Sequence, residues 1–553
     1  MSGTTVRPEA GSSRSTAAGT GRWQFSLSPV STVIVVATLL ALGLRVYQLA
    51  QPGHLLGVGD YDDGADFGSA LRLIHGIVPY RDFIIVQPPG ITLLMAPAAA
   101  LSRWVGTAWA IGVGRMLTVA AGAAAVALGG LLVRHRGMFA TVVTCGFIAV
   151  YPGSVQAAHT VLLEPWLTAF CLAGAVAVFD GDRLASGRRL VWGGAALGFA
   201  GSIKVWAIIP VAVIAAACLL SRGSGAGSGA GRRVTRFLAG VAGGFLIPVL
   251  PFAALAFGRF YSSVIVAQLV RTGARTPMAF RLQYLTGLTS WDLGIVAFAV
   301  AAVAIVAVVA GTVIAASRIT GRGPSVLEWF SVVTTALIIV AFLVPGEFYY
   351  HYPAFLAPFL AMTFALPAAR ILDARKARAG TQAQAPAEVP SSAPPARWWR
   401  SAAGLAGLVL LVLPLAVPGA EDSPTPTYAA ALPAIERVIP PGACVLSDQA
   451  SLLISAKRFI SSAPGCSVIV DGTGTSYALG HGQSPSTSGR VPAVAELWRQ
   501  AFGAARYVLL TSYNSNRIAW TPRLRTYFLD NFARVSGKWA PLTLYVRKGA
   551  QRH

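Results

Sequence analysis

The chain is 553 residues long, with 55% hydrophobic and only 12% charged side chains and a mean hydropathy of +0.62. That balance excludes an ordinary soluble domain, and several apolar runs reach the ~20 residues needed to cross ~30 Å of hydrocarbon as a helix. The formal net charge of +23 comes from 44 Lys and Arg against 21 Asp and Glu; arginines clustered between apolar runs mark inward-facing loops of a membrane protein, and they do not argue for nucleic acid.

In chain order, residues 1–28 are rich in Ser, Thr, Gly and Ala with Arg7, Arg14 and Arg22, and are expected to be a disordered cytoplasmic tail. The run is too polar to fold and too long before the first apolar stretch for a typical cleaved signal peptide. A transmembrane domain is expected over 29–419, its first span near 30–49. The positive tail then places the loop 50–107 outside. This loop carries Asp60, Asp62, Asp63, Asp66 and Asp82, five of the 21 acidic residues. Segment 88–104 begins at Pro88-Pro89 and is broken by Pro97, too short an apolar run to span, so it is read as a helix lying in the outer interface. The remaining spans are expected near 108–133, 137–156, 160–179, 190–203, 205–220, 234–257, 291–316, 326–344, 353–370 and 401–419. That makes eleven, and on this count Arg134-His135-Arg136 and the basic loops at 180–189, 221–233, 318–322 and 371–400 fall inside.

Beyond residue 420 the composition changes. Short β-branched runs at 444–447, 467–470 and 507–511 alternate with turns and a helix-like stretch 491–502, predicting an extracytoplasmic α/β domain over 420–553. Cys145, Cys171 and Cys218 fall in spans and read as small apolar packers. Cys444 and Cys466 are the two cysteines of the external domain, and an oxidising compartment leaves open whether they pair. No Cys/His spacing resembles a zinc site.

Ionisable groups at a bilayer edge cost ~2.5–3.5 kcal/mol each, so several at one depth imply paired roles. On this topology the outer face collects the acids of the first loop, His159 and Glu164, Lys204 at a turn between spans, Arg271, Arg275 and Arg281, and Glu347, His351 and Tyr352. Carboxylates facing Lys, Arg and His at the outer leaflet suit a reaction on a lipid-linked anion. Two plainer readings stand beside this one: Asp62 and Asp63 could cap the helix that starts near Gly64, and Lys204 could anchor at the interface.

The sequence Asp62-Asp63-Gly64, then Gly76-Ile77-Val78-Pro79-Tyr80-Arg81-Asp82-Phe83, then Gln87-Pro88-Pro89-Gly90 resembles the first external loop of the GT-C glycosyltransferases, the superfamily of protein O-mannosyltransferases and of aminoarabinose and lipopolysaccharide-core sugar transferases. The resemblance continues more loosely through Glu164-Pro165, Lys204 and His351-Tyr352-Pro353 to about residue 370. It departs where the second acid, commonly Glu, is Asp63, and where Tyr61 precedes the pair.

The resemblance implies an inverting transfer of a sugar from a polyprenyl-phosphate donor to a hydroxyl acceptor, an envelope glycan, lipid or protein, at the outer face of the plasma membrane. Asp62 is then the expected base, with Asp63 as second choice. Lys204, Arg271 and His351 are expected to hold the donor phosphate, and Asp82, Glu164, His159 and Tyr352 to position the substrates. No cofactor is required; a divalent cation bridging Asp62/Asp63 and the phosphate is left open. A flippase should show repeated halves and broken helices at mid-membrane, which the sequence lacks, and a scaffold should tolerate neutralising the acidic pair.

Overall fold

The computed structural model describes residues 28–221, 229–273, 275–382, 428–467 and 469–549. Six helical stretches are long and apolar enough to cross a membrane: Pro29–Ala50, Ser102–Val150, Gly229–Leu255, Ile295–Thr320, Val326–Leu343 and Pro353–Arg378. The second of these folds back on itself, because the turn Arg134–Arg136 and Gly137, at φ 82°, separate helix Ser102–Val133 from Gly137–Val150. Shorter helices Leu163–Val178, Arg188–Ile203 and Ile208–Leu220 fill the bundle. Helices therefore occupy ten of the eleven stretches expected to span. The eleventh, 401–419, lies outside the described residues, as does the tail 1–27. The chain is a multi-pass membrane protein.

We label the first helices α1 (Pro29–Ala50), α2 (Asp62–Ile74), α3 (Gly90–Ala100) and α4 (Ser102–Val133). At 11 residues α3 is about 16 Å long, half a bilayer core. Its first residue explains the Pro-Pro-Gly motif. A Cβ on Gly90 would stand 2.6 Å from the Ser202 carbonyl oxygen, so only glycine lets α3 start against the end of helix Arg188–Ile203, just before Lys204. The same device joins Arg188–Ile203 to Gly229–Leu255. Cβ atoms on Gly194, Gly198, Gly240 and Gly244 would each meet a backbone oxygen of the opposite helix at 2.0–2.2 Å, a small-residue contact of the kind lipid-embedded helices use in place of hydrophobic burial.

Part of the arginine excess serves the fold directly. In a medium without water the last carbonyls of a helix need donors. Arg45 donates to Ile148 and Ala149, Arg189 to Val176 and Ala177, Arg233 to Ser221 and Arg281 to Phe342, each at a different helix end. At the opposite end of the bundle from Lys204, Arg136 bridges Asp182 (2.7 Å) and Glu328 (3.1 Å), and Arg370 closes on Glu328 (3.1 Å). This network ties the small hairpin β1 (Phe179–Asp180) and β2 (Arg183–Leu184) to two long helices.

Residues 428–549 form an α/β unit. Its sheet runs β3 (Val445–Ser447), β4 (Tyr507–Leu510), β6 (Thr543–Arg547), β5 (Phe532–Val535), with β3 parallel to β4 and the other pairs antiparallel. Trp498, Phe502 and Phe528 fill its core. Two expected strands are in place. The third, 467–470, is not a strand among its described residues, because Asp471 there caps helix Gly472–Leu479 instead. Cys444 and Cys466 form a disulfide. The unit is wired to the first loop: Ser451 and Gln449 donate to the Asp60 carbonyl, Ser455 to that of Gly57, and Thr107 donates to Ile454. A Cβ on Gly64 would lie 2.2 Å from the Ser451 nitrogen, so the glycine after the acidic pair is where the unit seats on α2.

Candidate active site

The acidic pair divides at the start of α2. Asp62 and Asp63 are its first two residues, and neither makes a capping bond; the Asp60 carboxylate accepts from the N–H of Tyr61 (2.5 Å) and of Asp62 (3.4 Å) instead. Successive helix positions point about 100° apart, so the two carboxylates go separate ways. Asp63 turns inward, fully buried, and accepts from Arg115 Nη2 (2.7 Å) and Thr160 Oγ1 (2.6 Å). Arg115 also donates to the carbonyls of His54 and Leu55, locking the chain that leads into the loop. Asp62 faces a cavity of about 530 Å³ at the junction of the helical bundle and the α/β unit.

Behind Asp62 lies a buried charge cluster. Lys204 occupies an extended break (φ −150°, ψ 135°) between helices, which frees its side chain to reach Glu164 Oε1 at 2.5 Å. Its ammonium also lies 3.8 Å from the centre of the Trp206 ring and 4.4 Å from that of Tyr352, so two aromatic faces share the charge. His351 bridges the acids: Nδ1 is 2.8 Å from Glu164 Oε2 and Nε2 is 3.7 Å from Asp62 Oδ2. Burial disfavours a charged His351, but the Glu164 carboxylate outweighs it and raises the imidazole pKa. Asp62 keeps 46% of its side chain exposed, and this part opens on the cavity. The surrounding protein and the neighbouring Asp60 push its pKa up to about 6, against the opposing pull of His351.

The far wall comes from two sources. Arg271 pairs with Glu347 (2.9 Å) and stacks over Tyr477, which in turn donates to Glu347 (2.5 Å). From the α/β unit, Asp471 accepts from Tyr61 Oη at 2.9 Å, while Arg517 covers the other side of the Tyr61 ring at 4.5 Å. Tyr350 donates to Asp60 (2.5 Å). One turn along α2 from Asp62, Asp66 also lines the cavity.

No protein-family model matches the sequence, and no curated protein does. Solved structures do. ArnT from Cupriavidus metallidurans, bound to undecaprenyl phosphate, matches with TM-score 0.54 at 13% identity, over 94% of this chain and 98% of that one. The Archaeoglobus fulgidus oligosaccharyltransferase in its apo form matches at 0.51 and 14% identity, over 87% of this chain and 69% of that one. The oligosaccharyltransferase AglB from the same organism, in complex with an inhibitory peptide and a dolichol-phosphate, matches at 0.51 and 12%, over 94% and 74%. The chain has the GT-C glycosyltransferase fold.

Of the residues expected in a GT-C site, the cavity brings together Asp62, Glu164, Lys204, Arg271, His351 and Tyr352. Three lie elsewhere. Asp63 is held by Arg115 and Thr160, with no face on the cavity. Asp82 pairs with Arg81 (2.8 Å) and accepts from the Val78 N–H (2.7 Å), so it closes its own turn, and it does not line the cavity. His159 is buried behind Tyr350, its Nδ1 against the Gln156 carbonyl. Asp60 and Asp66 also line the cavity, and Asp66 is only 3% exposed. Among the described residues, no group of three or more His, Cys, Asp or Glu is placed to hold a metal ion.

Proposed function

We propose that this protein is an inverting glycosyltransferase that moves a sugar from a polyprenyl-phosphate donor to a hydroxyl acceptor at the outer face of the membrane. The observation that carries this reading is Asp62: a carboxylate open to a cavity, backed by Lys204 and His351 and faced by Arg271. In the reaction Asp62 takes the acceptor's hydroxyl proton, the acceptor oxygen forms a bond to the anomeric carbon, and the sugar–phosphate C–O bond breaks with its electron pair going to the phosphate. Lys204 and Arg271 stabilise the charge that develops there. That the matching ArnT and AglB structures hold undecaprenyl phosphate and dolichol-phosphate supports a lipid-phosphate donor.

Two features support the outer face. The cavity shares its end of the molecule with a disulfide, which an oxidising compartment favours, and the Arg136, Arg370 and Arg189 cluster is at the other end. The decisive experiment incubates the purified protein with a panel of polyprenyl-phosphate sugars and envelope acceptors, comparing wild type with Asp62→Asn. Transfer by the wild type that drops by roughly 10²–10⁴ in the variant, with donor binding kept, is the expected result. Equal transfer by both proteins would remove the base assignment.

A further inference from the structure

The Asp66 carboxyl is the one acid of the cavity wall whose surroundings offer it nothing. Glu164 is engaged by Lys204 and His351, Glu347 by Arg271 and Tyr477, Asp471 by Tyr61, and Asp60 by Tyr350. Asp66 is 3% exposed, and among the described residues no side chain donates to its carboxyl and no cation lies within ion-pair distance of it. Its position four residues after Asp62 puts both on one face of α2, so what little of Asp66 is accessible faces the cavity. A buried carboxyl without a partner costs free energy unless it is neutral or the ligand completes it.

Resting on the donor-phosphate reading above, we propose that Asp66 binds the donor as a neutral carboxylic acid, donating its proton in a hydrogen bond to an oxygen of the lipid-linked phosphate. The charges facing it fit this role. Asp62 on its own helix, Glu164 and Asp471 from the opposing walls are acids, and Lys204 is the one cation beside them. Burial and these three acids hold the Asp66 pKa well above the ordinary carboxylate range. An ionised Asp66 would repel a phosphate brought to Lys204, whereas the acid form adds a donor without adding charge. Bringing in the phosphate favours the protonated acid further, so donor binding and protonation of Asp66 are thermodynamically linked.

The test measures binding of undecaprenyl phosphate, without acceptor, to the full-length protein in nanodiscs as a function of pH. Wild-type affinity is expected to weaken by about tenfold per pH unit once Asp66 ionises, beyond the change that titration of the phosphate, Asp62 and His351 produces. Asp66→Asn, whose amide still donates, is expected to bind within about threefold of wild type near neutrality and to lose this extra pH dependence, leaving those other titrations as the internal reference. Asp66→Leu keeps the volume without a donor and is expected to bind about tenfold more weakly or worse. Circular dichroism and size exclusion confirm that each variant is folded. Loss of binding in a folded Asp66→Asn, or wild-type binding in Asp66→Leu, would overturn the proposal while leaving the donor assignment intact. Absence of binding by wild type at every pH would overturn the donor assignment and this inference with it.

Discussion

Tyr61 and Asp471 stand 410 positions apart in the chain and share a hydrogen bond of 2.9 Å at the wall of the cavity. The same tyrosine oxygen accepts from the Thr473 N–H at 2.9 Å, and its ring carries the Arg517 guanidinium. The residue just before the catalytic candidate is thus clamped by the α/β unit. The unit lines the site with Asp471, Tyr477 and Arg517.

The seat of this clamp is Gly64, and replacing it tests the coupling. In Gly64→Ala the new methyl would fall 2.2 Å from the Ser451 backbone nitrogen, which cannot rotate away, so α2 and helix Ala450–Ser455 must separate. The expected result is faster hydrogen exchange in 450–455 and reduced transfer, with the bundle helices unchanged. Unaltered exchange and activity would show that the contact is not needed.

Asp62 and Asp63 should respond differently to the same substitution. Asp63→Asn removes one partner of a fully buried ion pair and leaves Arg115 uncompensated, a change that typically costs about 3–5 kcal/mol. Thermal unfolding in detergent should therefore drop for Asp63→Asn, with the activity of the surviving folded protein falling far less than in Asp62→Asn. A stable but inactive Asp63→Asn would reverse the assignment of the two acids.

The raised pKa of Asp62 has consequences for both rate and stability. As a base it must be ionised, so transfer should rise with pH through about 6 and then level. The stability effect has the opposite sense: the folded pKa lies above the unfolded value near 3.9, so the fold favours the protonated form. Ionised Asp62 therefore destabilises the protein fully above the folded pKa, and this cost fades as pH falls toward 4. Asp62→Asn should raise the melting temperature at pH 7.5, and the gain should shrink at pH 5.

Much of this was legible in the sequence because its signals are local. Apolar runs set the helices, Pro88-Pro89-Gly90 set the start of α3, and the acid pair marked the loop. What a sequence does not give is side-chain direction. Asp63 and Asp62 differ by one position and point to a buried arginine and to a cavity respectively; Asp82 and His159 read as site residues but bond to their own turns. Asp66 was recoverable from its i, i+4 spacing to Asp62 on a helix. Asp471 was not, because only the docking of a distant unit brings it in. Strands β5 and β6 were missed because Phe532–Val535 and Thr543–Arg547 are short and carry arginines.

Lys204 should matter to fold and function together. Lys204→Ala leaves Glu164 buried with His351 as its remaining charged partner, and removes a cation proposed to hold the donor phosphate. A loss of about 2–5 kcal/mol in donor binding is expected if the pair is desolvated, measured as affinity for polyprenyl phosphate. Transfer should weaken mainly through KM. A Lys204→Ala protein that binds donor normally would make the lysine a packing element over Trp206.

The orientation of the bundle can be tested by thiol labelling in sealed cells, and the native cysteines favour the experiment. Cys145, Cys171 and Cys218 are buried and Cys444 is bridged to Cys466, so the background should be low. Single cysteines at 55, 100 and 500 should react with an impermeant reagent from outside, while those at 225 and 385 should react only after the membrane is opened. The expectation follows from the basic cluster lying opposite the cavity, since positively charged loops are retained on the cytoplasmic side. Position 100 is the most informative, because it ends α3: if 88–104 crossed the bilayer, every later loop would change sides, and labelling at 385 but not at 500 in intact cells would establish that inverted arrangement.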